Sequence, residues 1–308
     1  MSRAIEVASV AEGVWQVPIR MPYAHNPVAY LYIVLDDRGR PHLIDSGLDT
    51  PQSRAMLEAG LATAGTRIDQ VRSVTITHLH RDHLGLAASI RERSGAALAI
   101  HRADAEAMAA SRIPGDEDLE RWGIPESSWA ELKDGAARAG GGETDVDRRL
   151  EDADRLDIEG RDLRVIHTPG HTTGSSCFVS DELGVIFTGD HLLPDQFPGI
   201  DVGGVPSGNP VVGYGRSLRR VLEFDDRLVL PGHGWAFRGL AARVIETLAH
   251  HRRRTEEVRV VAERAPEATA WDIAEQLSWS AGWDRLTGVF RLSAVRQTAW
   301  HLEIVRAG

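Results

Sequence analysis

A layered α/β protein is the fold class this sequence predicts. Short apolar, β-branched strands fall into two groups along the chain, and helical segments alternate with them. That pattern argues for stacked layers of sheet and helix and against an all-α bundle. Composition agrees: a hydrophobic fraction of 42% and a charged fraction of 26% lie near globular averages, which excludes a disordered or fibrous chain. With 308 residues, the chain has room for one large domain, or one domain with a smaller appendage.

The elements follow in order. Val28 to Leu35 (VAYLYIVL) reads as an apolar strand closed by a turn at Asp36-Asp37-Arg38-Gly39. His42 to Ile44 leads into a second turn at Asp45-Ser46-Gly47. Pro51 to Ala64 has helical spacing, with Met56, Leu57 and Leu61 on one face. Val71 to Thr77 is a β-branched strand running straight into a histidine cluster. Leu84 to Arg93 reads as a helix stopped by Gly95, and Ala96 to Ile100 as the next strand. Residues 103–150 are rich in Ala, Asp, Glu, Arg and Gly and read as a helical insertion with a flexible Ala-Gly-Gly-Gly stretch at 139–142. It is either a solvated insertion or a lid over the active site. Strand signals return at Leu163 to Ile166, Ser176 to Val179, Val185 to Thr188 and Leu228 to Leu230. Leu240 to Ala262 is a long amphipathic helix, and further helical segments follow over 271–308. The expected division is a main domain over 1–240 and a C-terminal helical subdomain over 241–308, packed beside the cleft.

Charge and cysteine usage bound the function. Lys+Arg is 35 against Asp+Glu 45, a formal net charge of −10, the wrong sign for a chain that neutralises nucleic-acid phosphates. No apolar run approaches the roughly 18 residues of a membrane helix. The N-terminal MSRAIEVASVAEGVWQVPIR has early acidic residues and no apolar core of a secretory signal. The single cysteine, Cys177, excludes an internal disulfide framework and a cysteine-based zinc knuckle. The expectation is a soluble cytoplasmic protein acting on a small-molecule substrate, without nucleic acid or membrane as partner and with homo-oligomers left open.

The chemistry concentrates in Thr77-His78-Leu79-His80-Arg81-Asp82-His83-Leu84-Gly85. Residues two apart in an extended chain point the same way, so His78 and His80 can grip one metal ion. Asp82 and His83 lie on the turn into the next helix and can face a second. Zinc favours imidazole nitrogen and carboxylate oxygen, and catalytic sites keep a position open for water. So many metal-capable side chains at this density would repel, or stand unpaired, without a cation. Three weaker candidates each follow a strand: His171 in Thr168-Pro169-Gly170-His171-Thr172, Asp190 in Thr188-Gly189-Asp190, and His233 in Pro231-Gly232-His233-Gly234. Adjacent glycines let the backbone turn sharply and come close to such a site.

Together HxHxDH at 78–83, PGHTTGS at 169–175, GD at 189–190 and PGHG at 231–234 resemble the metallo-β-lactamase-fold hydrolase superfamily. LIDSG at 43–47 is similar to that family's further Asp-containing motif. The resemblance covers about residues 12–240. It implies an αββα metallo-β-lactamase sandwich with a small C-terminal helical subdomain and a dinuclear metal site at one edge of the sheets. By motif position it implies that His78, His80 and His171 hold one ion, that Asp82, His83 and His233 hold the other, and that Asp190 bridges them. Asp190 and an intact Asp82-His83 resemble the glyoxalase II-like branch, since class B lactamases proper typically have a cysteine where Asp190 stands. Cys177, mid-strand, reads as a small core residue.

What this implies is a dinuclear zinc-dependent hydrolase that cleaves an ester-like bond, a thioester or lactone. Water bridging two divalent ions becomes hydroxide near neutral pH and attacks the carbonyl, while a metal-bound water or Asp82 manages the proton. Iron and manganese accept the same nitrogen and oxygen set. The alternatives are a metallo-endonuclease acting on RNA, an iron-dependent persulfide dioxygenase, and a non-catalytic binding module. Tyr214, read as lying in a polar loop over 199–216, is a candidate hydrogen-bond donor to a substrate carbonyl. Arg252, Arg253 and Arg254 are candidates for an acidic substrate. His250 and His251 read as a solvated or interdomain face, outside the metal set.

Overall fold

Two β-sheets pack face to face between helices in the computed structural model, which describes residues 6–22, 27–110, 113–139 and 144–308. The first sheet runs in chain order: β1 (Ala8–Ala11), β2 (Val14–Arg20), β3 (Val28–Leu35), β4 (Pro41–Ile44), β5 (Ser73–Ile76), β6 (Ala97–His101) and β7 (Arg148–Leu150). Its first four strands pair antiparallel and β4 to β7 pair parallel. The second sheet has the order β11-β10-β9-β8, built from β8 (Arg164–His167), β9 (Ser176–Ser180), β10 (Val185–Gly189) and β11 (Leu228–Pro231). Here β9 is antiparallel to both β8 and β10, and β11 is parallel to β10. It follows that β8, β10 and β11 all run the same way and end at the same edge.

The alternation of β3 explains the layering. Leu31 and Ile33 point to one face and join Leu43, Ile76 and Leu98 under α1 (Pro51–Thr63). Tyr32 and Val34 point to the other and meet Val165, Phe178, Phe187 and Leu230 of the second sheet. A strand buried on both faces is apolar at every position, which is why VAYLYIVL shows no polar alternation. The outer face of the second sheet, including Ile166, Cys177, Val179 and Ile186, is covered by α7 (Pro210–Arg220) and the start of α8 (Leu240–Arg264). The arrangement is the αββα sandwich that the motifs implied.

Several boundaries differ from expectation for physical reasons. The strand read as 71–77 is β5 alone, because the Thr77 N–H turns from the ladder to the Asp45 carboxylate at 2.7 Å. The helix read as 84–93 is a single turn, α2 (Arg81–Leu84), followed by α3 (Ala87–Ser94). The loop read as 199–216 ends early. Asn209 accepts hydrogen bonds from the Val211 and Val212 N–H groups, Pro210 takes the first helical position, and α7 begins there, with Tyr214 on it. Of the glycine stretch at 139–142, residues 140–142 lie outside the described residues.

The insertion consists of α4 (Arg102–Ala109), α5 (Asp116–Arg121) and α6 (Glu126–Ala139). The chain closes with α9 (Ala270–Gln276) and α10 (Gly288–Ala307). Leu119, Trp122, Ile124 and Leu132 share one apolar cluster with Ala270, Trp271, Leu292 and Val295. The insertion and the C-terminal helices thus form a common layer, although about 150 residues separate α5 from α9. Among the described residues, no helix is long and apolar enough to cross a membrane.

Candidate metal centre

The ends of β5, β8, β10 and β11 meet at one edge of the sandwich, and each delivers part of a single cluster. Ligand-capable atoms of His78, His80 and His171 lie within 4.8 Å of one another, as do those of Asp82, His83 and His233, and those of His78, His83 and Asp190. The structure therefore brings together all seven residues singled out as ligands. In the first group, His80 Nδ1 lies 3.1 Å from both His78 Nε2 and His171 Nε2. In the second, His233 Nε2 lies 3.2 Å from Asp82 Oδ2, and His83 Nε2 lies 3.8 Å from the same oxygen. Asp190 stands between the groups: Oδ2 is 3.7 Å from His171 Nε2 and 3.5 Å from His233 Nε2, and Oδ1 is 3.5 Å from His83 Nε2.

Each imidazole is oriented from behind by an acceptor. His171 Nδ1 donates to Gly199 O at 2.7 Å, His80 Nε2 to Val202 O at 3.0 Å, and His233 Nδ1 to Val28 O at 2.8 Å. His83 Nδ1 donates to Asp45 Oδ2 at 2.8 Å. The Thr77 hydroxyl donates to the same Asp45 oxygen at 2.9 Å and accepts from His78 Nδ1 at 3.1 Å. On His78, His80 and His171 the outer protons leave bare lone pairs on the inner nitrogens, the tautomer a metal requires, and on His83 and His233 they aim the inner nitrogens at the same centre. The Asp-Ser pair of the 43–47 motif serves α2 twice, because the Ser46 N–H and hydroxyl both donate to His83 O, at 2.6 and 2.8 Å.

The electrostatics split the site. Burial, reinforced by neighbouring imidazoles, holds His78 well below the ordinary histidine range, and burial holds His171 below it against the opposing pull of Asp190. His80 is lowered to about 4 by burial and then by His171. Burial also disfavours a charge on His83, but Asp82, Asp45 and Asp190 outweigh it and raise the ring to about 10. His233 is raised for the same reason, with Asp190 and Asp82 overcoming burial. Against its own burial, Asp82 is held far below the usual carboxylate range by His83 and His233.

Such a centre suits cations. His83 Nε2 and Asp190 Oδ1 are buried with no hydrogen-bond partner. A buried polar atom left so costs about 1–3 kcal/mol. Three imidazole lone pairs converging at 3.1 Å add repulsion. A divalent ion in each group answers all of these at once, and the mixed nitrogen and oxygen donors match zinc, iron or manganese.

Other expectations are corrected. Tyr214 is buried and its hydroxyl donates to His191 O at 2.7 Å, so it is a core residue of α7 and does not face substrate. Arg254 is buried too, and donates to Glu257 Oε2 at 2.8 Å and Ser278 O at 2.7 Å, which leaves it unsuited to an acidic substrate. Cys177, by contrast, is the core residue it was read to be, its thiol pushed up to about 12 by burial. Sequence reasoning missed Asp104. From the first turn of α4 its carboxylate accepts from Leu79 N at 2.9 Å, Thr172 Oγ1 at 2.8 Å and Gly174 N at 2.6 Å. It ties the segment between His78 and His80 to the loop carrying His171.

Comparison with known proteins adds the family context. The model of the metallo-beta-lactamase superfamily matches residues 25–233. "Probable metallo-hydrolase YqjP" of Bacillus subtilis (strain 168) is 25% identical over 309 residues, covering 96% of this chain and 93% of that protein. A crystal structure of a metallo-beta-lactamase family protein from Thermus thermophilus aligns with a TM-score of 0.77 at 26% identity, covering 97% of this chain and 95% of that one. The atrochrysone carboxyl ACP thioesterase of Aspergillus fumigatus is 30% identical over 107 residues, 35% of this chain and only 31% of that protein.

Proposed function

This chain belongs to the metallo-β-lactamase superfamily and is a metallo-hydrolase of it, and from that premise we propose that it cleaves an ester-like bond, a thioester or a lactone, with two divalent ions, zinc foremost. His78, His80 and His171 would hold one ion, Asp82, His83 and His233 the other, and Asp190 would bridge them. The observation that carries this reading is the placement of the Asp190 carboxylate, within 3.7 Å of nitrogens in both groups. Local similarity to a thioesterase supports the substrate class.

Bound there, two divalent ions supply Lewis acidity toward a carbonyl oxygen and lower the pKa of water toward neutrality. The protein's own part is orientation and proton handling. The five imidazoles are locked by their outer hydrogen bonds, so little reorganisation accompanies reaction. Asp82 is the proton acceptor in this reading. Its side chain remains 23% exposed while His83 beside it is fully buried, so it lies where water and substrate arrive. In this reading it takes the proton from the attacking water and passes it to the leaving thiol or alcohol.

The test is turnover by the metal-loaded protein on a panel of thioesters, lactones, β-lactams, phosphodiesters and persulfides. The expected result is a kcat/KM for a thioester or lactone at least about 10²-fold above the other classes, the scale of losing one main transition-state contact. Turnover confined to phosphodiesters, β-lactams or persulfides would overturn the reading.

A further inference from the structure

The C-terminal helix reaches the three-histidine group through one loop. Ser293, Arg296, Gln297 and Trp300 of α10 are spaced i, i+3, i+4 and i+7 and so share a face. That face lies on residues 199–202. A Cβ built on Gly199 would stand 3.0 Å from Ser293 Oγ, and Gln297 Oε1 accepts from Ile200 N at 3.3 Å. Asp201 is buried, and its Oδ2 accepts from Arg296 Nη2 at 2.6 Å and from Trp300 Nε1 at 2.7 Å. The Asp201 backbone sits at φ 59°, a left-handed conformation that among non-glycine residues Asp and Asn adopt most readily.

The same loop orients two of the histidines. Gly199 O and Val202 O are the acceptors for His171 Nδ1 and His80 Nε2. The connection is reciprocal, since Asp201 N donates to Gly170 O at 2.8 Å and Val202 N to His171 O at 2.9 Å. A slackened loop would let both rings turn and would release the outer protons that keep the inner lone pairs bare.

We infer that Asp201, clamped by Arg296 and Trp300, is a positioning residue for the three-histidine metal position. The inference rests on the reading of His78, His80 and His171 as ligands. It gives α10 a definite role, in which this helix tunes a metal position whose three histidines all lie more than a hundred residues upstream. Side groups that orient ligating histidines typically carry about 10–100-fold in metal affinity.

The experiment measures both stepwise metal affinities by chelator competition, together with thermal unfolding, in the full chain. Asp201→Gly removes the carboxylate while accepting the left-handed backbone. It is expected to weaken one of the two affinities by about 10–100-fold and leave the other unchanged. Asp201→Asn, which tolerates the same φ and keeps an oxygen for the Trp300 N–H, should recover a large part of that loss. Trp300→Phe keeps the ring and removes one hydrogen bond, so it gives an independent reading if Asp201→Gly folds poorly, with a smaller loss at the same position. Unchanged affinities in Asp201→Gly and Trp300→Phe, or an equal loss at both positions, would overturn the inference. Wild-type protein that takes up no metal would instead overturn the reading of the site on which it rests.

Discussion

Asp190→Ala is expected to disturb both metal positions and abolish most turnover. Its carboxylate lies 3.5 Å from His83 and from His233 and 3.7 Å from His171, so it offers an oxygen to each group. Its charge also offsets the mutual repulsion of two cations held close together. On the proposed assignment, both ions would lose a ligand and part of their neutralisation without it. His233→Ala removes a contact of one group only and should cost that ion while sparing the other. Hydrolysis should fall by about 10²-fold or more in both variants, because it draws on both positions. Metal stoichiometry and turnover measured together on each folded variant check this. Two ions and near-normal turnover in Asp190→Ala would show the bridging assignment to be wrong.

Gly232→Ala should be nearly as damaging, although it alters no ligand. A Cβ at this position would stand 2.5 Å from Asp190 Oδ1 and 2.6 Å from His83 Cε1. The backbone cannot retreat: Gly232 N donates to Gly189 O at 2.8 Å, and Gly232 O accepts from Tyr30 N at 2.8 Å. The methyl group must therefore push aside the two side chains, each in the metal cluster. The expected result is loss of the ion near His83 and a turnover loss of about 10²-fold. Gly213→Ala is the control. It lies in α7 with nothing within 4 Å of its built Cβ, and alanine favours helix. Equal effects of the two substitutions on metal content would contradict this account of Gly232.

The sequence disclosed the centre well because its ligands are local or punctuated. HxHxDH packs four of the seven ligands into six residues, and the other three follow strand ends marked by glycine. Most strands of the core were legible from apolar β-branched runs, and their layering from the two groups, but β1, β2 and β7 were not read, although β2 buries Val14, Val17 and Ile19. What could not be read is held by contacts remote in sequence. Asp104 acts on Leu79 and on Gly174, 25 and 70 residues away. Asp201 depends on Arg296 and Trp300. Asp104 falls in the stretch read as a helical insertion and Asp201 in the segment read as a polar loop, and nothing local marks either. Tyr214 shows the opposite error. Its place in a glycine-rich segment suggested a loop, yet the Asn209-Pro210 pair that caps and starts α7 was there to be read. The insertion and the C-terminal helices differ in composition from the rest, but nothing local says that Trp122 and Trp271 share a cluster.

The most direct test of the central claim is a calorimetric metal titration of chelator-treated protein near pH 7.5, repeated in buffers of different ionisation enthalpy. Two ions per chain are predicted, with different proton signatures. Uptake at the three-histidine group should release almost no protons, because burial already keeps His78, His80 and His171 neutral. Uptake at the other group should release protons, because His83 is raised to about 10 and His233 is raised as well, and a metal must displace what they hold. Affinity there should accordingly rise with pH across the neutral range. No uptake of zinc, iron or manganese, or a single ion bound without the participation of Asp190, would contradict the account.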